Sequence, residues 1–230
     1  MKILITSGGT RESIDQVRSI TNHSTGQLGK QIAERFLSAG HQVTLVTTKS
    51  SVKPAEKPNL TIIDITNVES LKEALEPLVK SHDALIHSMA VSDYTPVYMT
   101  GIDEVAQTAN IYDLLAKKNT ESKISSTDDY QVLFLKKTPK VISHVKEWNP
   151  AIQLIGFKLL VDVTKEELFS VARASLKKNQ ADYILANDLL DIRDGKHKAY
   201  LVSKDAEIQV ETKADIAQLI LKVVTQGKES

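Results

Sequence analysis

Four short runs, residues 3–6, 42–47, 60–65 and 84–88, are almost unbroken in apolar and β-branched side chains, and this continuity constrains the fold most. A strand with one face in water alternates between polar and apolar, whereas a strand covered on both faces does not need to. Between the first two runs Leu28, Ile32, Phe36 and Leu37 recur at helical spacing, and Gly40 stands where a helix C-terminal glycine belongs. Asn67 can cap a further helix through Leu71, Leu75 and Leu78, with Pro77 expected to kink its end. Strand, helix and strand in this succession predict a parallel, doubly wound, Rossmann-like α/β sheet.

The second half repeats the pattern with less regularity. Residues 131–135, 153–159 and 182–186 read as strands, and 139–148 and 165–178 as helices. The alternating runs 197–202 and 207–211 flank Lys204-Asp205 and predict a hairpin on the sheet edge. A last helix is expected over 214–224, followed by a frayed tail over 226–230. Residues 94–129 fit no strand–helix unit. This stretch is polar, holds a possible helix over 103–118, and is expected to protrude as a flap or arm from one domain spanning 1–230.

Composition narrows the function classes. The 29 basic and 29 acidic residues cancel, so the broad positive footprint of a nucleic-acid binder is missing. Without cysteine the chain has no disulfide, thiol nucleophile or thiolate metal site. No apolar run reaches the roughly 20 residues that span a bilayer. The chain opens directly on a strand, without a basic-then-apolar leader pattern, so the expected location is the cytoplasm, away from membranes.

Chemistry-bearing residues cluster where strands end. Gly8 and Gly9 follow the first strand, at the edge of the sheet where open α/β folds bind ligands, and flexible backbone there lets N–H groups approach phosphate. Their spacing is not the dinucleotide fingerprint, because Thr10 and Ser13 stand where glycines would be required. Ser24, Thr25 and Gly26 lead into the first helix, whose free N–H groups favour an anion; capping by Ser24 or Thr25 explains them equally well. In the loop between, Arg18 offers a planar fork for carboxylate or phosphate. Asn22 can donate to a carbonyl oxygen as it gains charge. Ala90 and Asp93 follow the fourth strand in a small-residue run able to admit a base or ribose, while His87 and Met89 read as core. Lys177 and Lys178 sit at a helix end, where opposing the macrodipole competes with phosphate binding as their explanation. Asn187 follows a buried strand and can reach the crevice.

Together these segments resemble a known family in order and spacing. The run Thr6-Ser7-Gly8-Gly9-Thr10-Arg11-Glu12-Ser13-Ile14-Asp15-Gln16-Val17-Arg18-Ser19-Ile20-Thr21-Asn22-His23-Ser24-Thr25-Gly26 closely resembles the signature of phosphopantothenoylcysteine synthetases. Ala90-Val91-Ser92-Asp93-Tyr94, Lys123-Ile124, Gly156-Phe157-Lys158 and the stretch from Lys177-Lys178 to Ala186-Asn187-Asp188 resemble its later motifs. The resemblance implies a coenzyme A biosynthesis ligase that joins 4′-phosphopantothenate to L-cysteine through an acyl nucleotide. It further implies CTP as co-substrate, with ATP as the alternative, Mg²⁺ as cofactor, and a homodimer. By the same resemblance Asn22 contacts the reacting acyl oxygen, Arg18 and the Gly8, Gly9, Ser24, Thr25 and Gly26 region serve phosphopantothenate, and Lys123 is the flap lysine of nucleotidyl transfer. Ala90, Asp93, Phe157, Asn187 and one of Lys177 and Lys178 would serve the nucleotide; the metal ligands stay unassigned. Many relatives carry a fused flavin-dependent decarboxylase. Because this chain starts at the synthetase motif, that activity is expected on a separate pathway partner.

Two rival classes compete with this reading. A short-chain-type NAD(P)-binding reductase needs Tyr-x-x-x-Lys on one helix turn. The only such spacing is Tyr200 to Lys204, inside the expected hairpin, where the side chains would lie about 13 Å apart. A non-catalytic nucleotide sensor would explain the glycine turn but not the company of Arg18, Asn22 and Lys123.

Overall fold

The structure is a computed structural model in which residues 1–193 and 196–226 are described. In chain order it opens with β1 (Lys2–Ser7), a small hairpin of β2 (Arg11–Ser13) and β3 (Ser19–Thr21), α1 (Gln27–Ser38), β4 (Gln42–Thr48), β5 (Leu60–Ile65), α2 (Val68–Val79) and β6 (Ala84–His87). It continues through β7 (Tyr94–Gly101), α3 (Ile102–Gln107), a 3₁₀ turn (Ile111–Ala116), β8 (Gln131–Lys137), a second 3₁₀ turn (Val141–His144) and α4 (Val145–Trp148). The last part holds β9 (Gln153–Leu160), α5 (Lys165–Asn179), β10 (Tyr183–Asp188), the short pair β11 (Ile192–Arg193) and β12 (Lys196–His197), β13 (Ala199–Val202), β14 (Glu207–Val210) and α6 (Lys213–Gln226).

Eight strands form one sheet in the order β14-β13-β10-β9-β6-β1-β4-β5. All pairs from β10 to β5 are parallel; β13 and β14 add antiparallel on the β10 side, which is the expected edge hairpin. Neighbouring residues of one strand serve opposite cores. Ile3 and Ile5 of β1 pack with Ile32, Phe36, Ile216 and Ile220 of α1 and α6, whereas Leu4 packs with Leu71, Leu75 and Val145 of α2 and α4. Leu168, Ala172 and Leu176 of α5 cover Ile184 and Tyr200. Helices on both faces are what made these strands read as continuous apolar runs.

Helix ends follow local chemistry. At α1 the N–H of Gly40 reaches the Leu37 carbonyl at 3.1 Å and that of His41 reaches Phe36 at 3.1 Å, a Schellman closure. Gly40 makes this turn at φ +80°. Asn67 and Ser70 form a reciprocal capping box at α2, and Pro77 is accommodated inside the final turn of that helix. The N-cap of α1 corrects an expectation. It is Gly26 in the left-handed region at φ +79°, with no side-chain cap; Thr25 Oγ1 only meets the Gln27 N–H at 3.4 Å.

Residues 94–129 depart most from the expectation. Tyr94–Gly101 is a strand, and it pairs with Gln131–Lys137 as an antiparallel ribbon outside the main sheet. Burial on the ribbon is partial, with Tyr98 stacked on Phe134 at 6.4 Å, so no strong apolar run announced β7. The helix expected over 103–118 is split. Thr108 Oγ1 donates to the Glu104 carbonyl at 2.6 Å, and the Asn110 side chain accepts from Tyr112 N–H at 3.2 Å, which ends one helical piece and starts another. Glu104 is held at about 2 by Lys117, with Thr100 and Tyr98 also donating to its carboxylate. The helix expected over 139–148 is likewise a 3₁₀ turn followed by a single turn of α4. Of the expected tail, residues 227–230 lie outside the described residues. Among the described residues no helix is long and apolar enough to cross a membrane.

Candidate active site

From β5 to β10 the order runs outward in both directions from the neighbours β1 and β6, so the chain reverses direction between these two strands. Open α/β sheets bind ligands at this switch point, beyond the strands' carboxyl ends. Gly8, Gly9 and Ala90 sit there. Ala90 N–H donates to the Gly8 carbonyl at 2.8 Å, and Thr10 N–H donates to the Ala90 carbonyl at 3.0 Å, extending the ladder past β6. Gly8 turns at φ +84°, and a Cβ on it would stand 1.9 Å from Ser51 Oγ. A Cβ on Gly9 would meet the Asn22 carbonyl oxygen at 3.0 Å. The glycines therefore serve close packing of three chain segments. Beneath them hydroxyls turn inward: Ser7 Oγ donates to Gly26 O at 3.0 Å, Thr47 Oγ1 to Ser7 O at 2.9 Å, and Ser88 Oγ to Thr6 O at 2.6 Å.

His87 belongs to this floor. Its ring is buried, with Nδ1 2.9 Å from Thr6 Oγ1, and burial lowers its pKa from 6.5 to about 4. A depressed histidine pKa means the unfolded chain binds the proton that the folded chain refuses. Stability from this group is complete above 6.5 and is lost as pH falls from there towards 4. Urea unfolding of wild type and His87→Asn at pH 6.5 and pH 5 checks it. The wild type is expected to lose up to about 2 kcal/mol more than the variant over that interval.

Above the floor the hairpin β2–β3 rises from the glycine turn. Glu12 is buried and its Oε1 accepts the Val68 N–H at 2.9 Å, so one wall of the hairpin is pinned to the start of α2. Thr10 and Ser92 join hydroxyls at 3.1 Å, and Thr138 Oγ1 donates to the Ser92 carbonyl at 2.6 Å, tying the turn to the roots of the ribbon. Asn22 leaves the hairpin beside Gly9. It is exposed, and its side-chain amide has no hydrogen-bond partner among the described residues. Ser24 and Thr25 follow at the same mouth.

Arg18 is engaged. Its Nε and Nη2 donate to Asp15 Oδ2 at 3.0 and 2.7 Å, and Nη2 also donates to the Ile124 carbonyl at 2.9 Å. Asp15 further accepts the N–H groups of Val17 at 2.9 Å, Arg18 at 2.7 Å and Ile124 at 3.2 Å. Arg18 foremost, and these N–H groups with it, hold the Asp15 carboxyl well below the usual carboxylate range. Gln16 N–H adds a bond to Ser122 O at 3.1 Å. The hairpin tip is thus zipped to the segment carrying Lys123, whose side chain is exposed.

The other expected residues divide. Asp93 is exposed and forms an ion pair with Lys140, a residue sequence reasoning did not select. Phe157 lies one position beyond the Gly156–His87 pairing with which β6 ends, partly buried against the core of α1 and α6. Asn187 is buried near the carboxyl end of β10, opposite Leu159. Next to it Asp188 accepts from Val163 N–H at 2.8 Å and Asp162 N–H at 3.2 Å, fixing the loop that leads into α5, and these bonds lower its pKa. Lys177 and Lys178 are not brought to this mouth. They occupy the last turn of α5, and Asp182, just beyond it, bonds to Leu154 at the start of β9, so both lysines lie at the amino end of the strands. Tyr200 lies on β13 and Lys204 in the turn after it, so no helical Tyr-x-x-x-Lys pair exists there. Asp15, Glu12 and Thr10 went unselected. The signal for Asp15 was its place three residues before Arg18, which becomes informative only when the turn between them is known.

Residues 1–102 and 98–227 match the family described as the DNA/pantothenate metabolism flavoprotein C-terminal domain. A coenzyme A biosynthesis bifunctional protein CoaBC of Thermococcus kodakarensis is 35% identical over 206 residues, which make up 89% of this chain and 45% of that protein. The chain spans about half the length of the curated relatives it matches. A crystal structure of a DNA/pantothenate metabolism flavoprotein from Streptococcus pneumoniae is 59% identical, with a TM-score of 0.94, covering 98% of this chain and 99% of that one. The C-terminal domain of a CoaBC protein superposes with a TM-score of 0.72 at 26% identity, covering 100% of this chain and 96% of that one.

Proposed function

Because this chain belongs to the family of the DNA/pantothenate metabolism flavoprotein C-terminal domain, we propose that it is a ligase joining 4′-phosphopantothenate to L-cysteine with consumption of CTP. The observation that carries this reading is the zipped hairpin. It ties the segment of Lys123, a cation, to the loop that leads to Asn22, an uncommitted donor, across about a hundred residues of sequence. The two half-reactions need these two groups. In the first, a carboxylate oxygen of phosphopantothenate attacks the α-phosphorus, a C(O)–O–P bond forms, and pyrophosphate leaves with the pair of the broken P–O bond. An anion is brought onto a polyanion here, so Lys123 serves by offsetting the charge that builds on phosphorus. In the second, the cysteine amine attacks the acyl carbon, loses a proton, and CMP departs. The acyl oxygen becomes negative on the way, and the Asn22 amide N–H is the donor that meets it.

Arg18 keeps Nη1 for a substrate anion, since Nε and Nη2 are engaged. Ala90 at the switch point and Asp93 beyond it are read as nucleotide contacts, with Lys140 beside them. Among the described residues no three His, Cys, Asp or Glu side chains gather to hold a metal. Magnesium, if bound, would come with the triphosphate and offset its charge. The ribbon of β7 and β8 with the segment between is read as a flap and as the arm for a second copy. Ile111, Tyr112, Leu115 and Tyr130 on it are exposed apolar side chains suited to such a contact.

The test is direct. The protein is incubated with phosphopantothenate, magnesium and CTP or ATP, with and without cysteine, and pyrophosphate, CMP or AMP, and the acyl nucleotide are followed. Turnover with CTP and a trapped acyl cytidylate are expected. Absence of turnover with both nucleotides in the presence of cysteine overturns the reading.

A further inference from the structure

Asp15 is not part of the site as read so far, yet its environment is unlike that of a surface carboxylate. Its side chain has 0% exposure although its partner Arg18 keeps 34%. It binds both the arginine that grips the Ile124 carbonyl and the Ile124 N–H itself, so one ion pair takes up both backbone polar groups of that residue. The Ile124 side chain is 7% exposed and anchors the same point, while residue 122 is held through its carbonyl by Gln16. Lys123 lies between two clamped neighbours with its own side chain in solvent. Exposed ion pairs contribute little to stability. A shielded carboxylate making charge-assisted bonds to the backbone of a distant segment fixes geometry instead.

We propose that Asp15 is a positioning residue for nucleotidyl transfer: through Arg18 and the backbone of Ile124 it sets where the Lys123 ammonium stands over the α-phosphate. The proposal rests on the ligase reading. It assigns Asp15 to the first half-reaction alone, because the Asn22 amide is reached through the other end of the hairpin.

Asp15→Asn keeps the shape and removes the charge, and the hairpin lies outside the eight-stranded sheet. Single-turnover pyrophosphate release is expected to slow by roughly 10- to 100-fold, the cost of a reacting group displaced by about an ångström. The KM for CTP is expected to change by less than roughly threefold. Aminolysis of added acyl cytidylate by cysteine is expected to keep its wild-type rate. Asp15→Glu, which retains the charge one methylene further out, should recover part of the loss. Asp15→Asn combined with Lys123→Gln should be no slower than Lys123→Gln alone, since both act through one group. Hydrogen exchange of the Ile124 amide supplies a readout that needs no turnover, and it should quicken in Asp15→Asn. Unchanged exchange at Ile124, equal slowing of both half-reactions, or additive effects in the double variant would each overturn the positioning role while leaving the ligase reading intact. A wild type without turnover removes the ligase reading, and this proposal with it.

Discussion

Lys123→Gln is expected to slow pyrophosphate release from CTP and phosphopantothenate by roughly 1,000-fold, because a unit charge about 4 Å from another is worth about 4 kcal/mol at an effective dielectric of 20. The lysine is exposed and makes no ion pair among the described residues, so its charge is free to meet phosphate. The backbone on both sides is clamped, so the substitution should leave the fold unchanged and act on rate alone. Rapid-quench measurement of pyrophosphate with the other substrates saturating checks this. Aminolysis of chemically prepared acyl cytidylate should stay near the wild-type rate. Release within tenfold of wild type would remove Lys123 from the chemistry.

Asn22→Asp is expected to act on the opposite half. The change replaces an N–H donor by an oxygen acceptor and adds a negative charge where the acyl oxygen becomes negative. Loss of one such donor costs roughly 100- to 1,000-fold in the step concerned. Pyrophosphate should still be released, and the acyl cytidylate should accumulate to a level detectable by mass spectrometry, while its reaction with cysteine slows. The variant should fold normally, since the Asn22 side-chain amide holds nothing in place among the described residues, and its backbone carbonyl, which accepts the Ser24 N–H at 2.9 Å, is unchanged by the substitution. A normal second step in Asn22→Asp would sink the assignment. Seen together, the two variants separate the half-reactions.

Much of the fold was legible because it is dictated by local pattern. Of the strands that read as continuous apolar runs, β1, β4 and β6 are buried between α1 and α6 on one face and α2 and α4 on the other, whereas β5, at the sheet edge, is only partly buried. Gly40 and Asn67 identified helix ends because left-handed backbone and side-chain capping are properties of single residues. Legibility failed where partners are distant. Tyr94–Gly101 is a strand only because Gln131–Lys137 lies beside it, and no residue within β7 is buried enough to show this in advance. Ser24 and Thr25 are good capping residues, yet Gly26 takes that position because a side chain there would stand within 3.0 Å of Ser7 Oγ.

The opening motif, Thr6 to Gly26, taken with the later motifs, carried the family resemblance and the identities of the candidate groups, since residue type and spacing travel with the chain. It could not determine which of those groups are free. Arg18 read as a fork for an anion and is half occupied by Asp15; Asp93 read as a contact for base or ribose and is paired with Lys140; Lys177 and Lys178, for which phosphate binding competed with the helix macrodipole, stand in the last turn of α5 at the opposite end of the sheet. Each outcome depends on where a second segment comes to rest, which follows from strand order and from the carboxylates and backbone groups that meet across it. Only the tertiary structure brings Asp15 and Ile124 within hydrogen-bonding distance, and with them the backbone on which Lys123 stands.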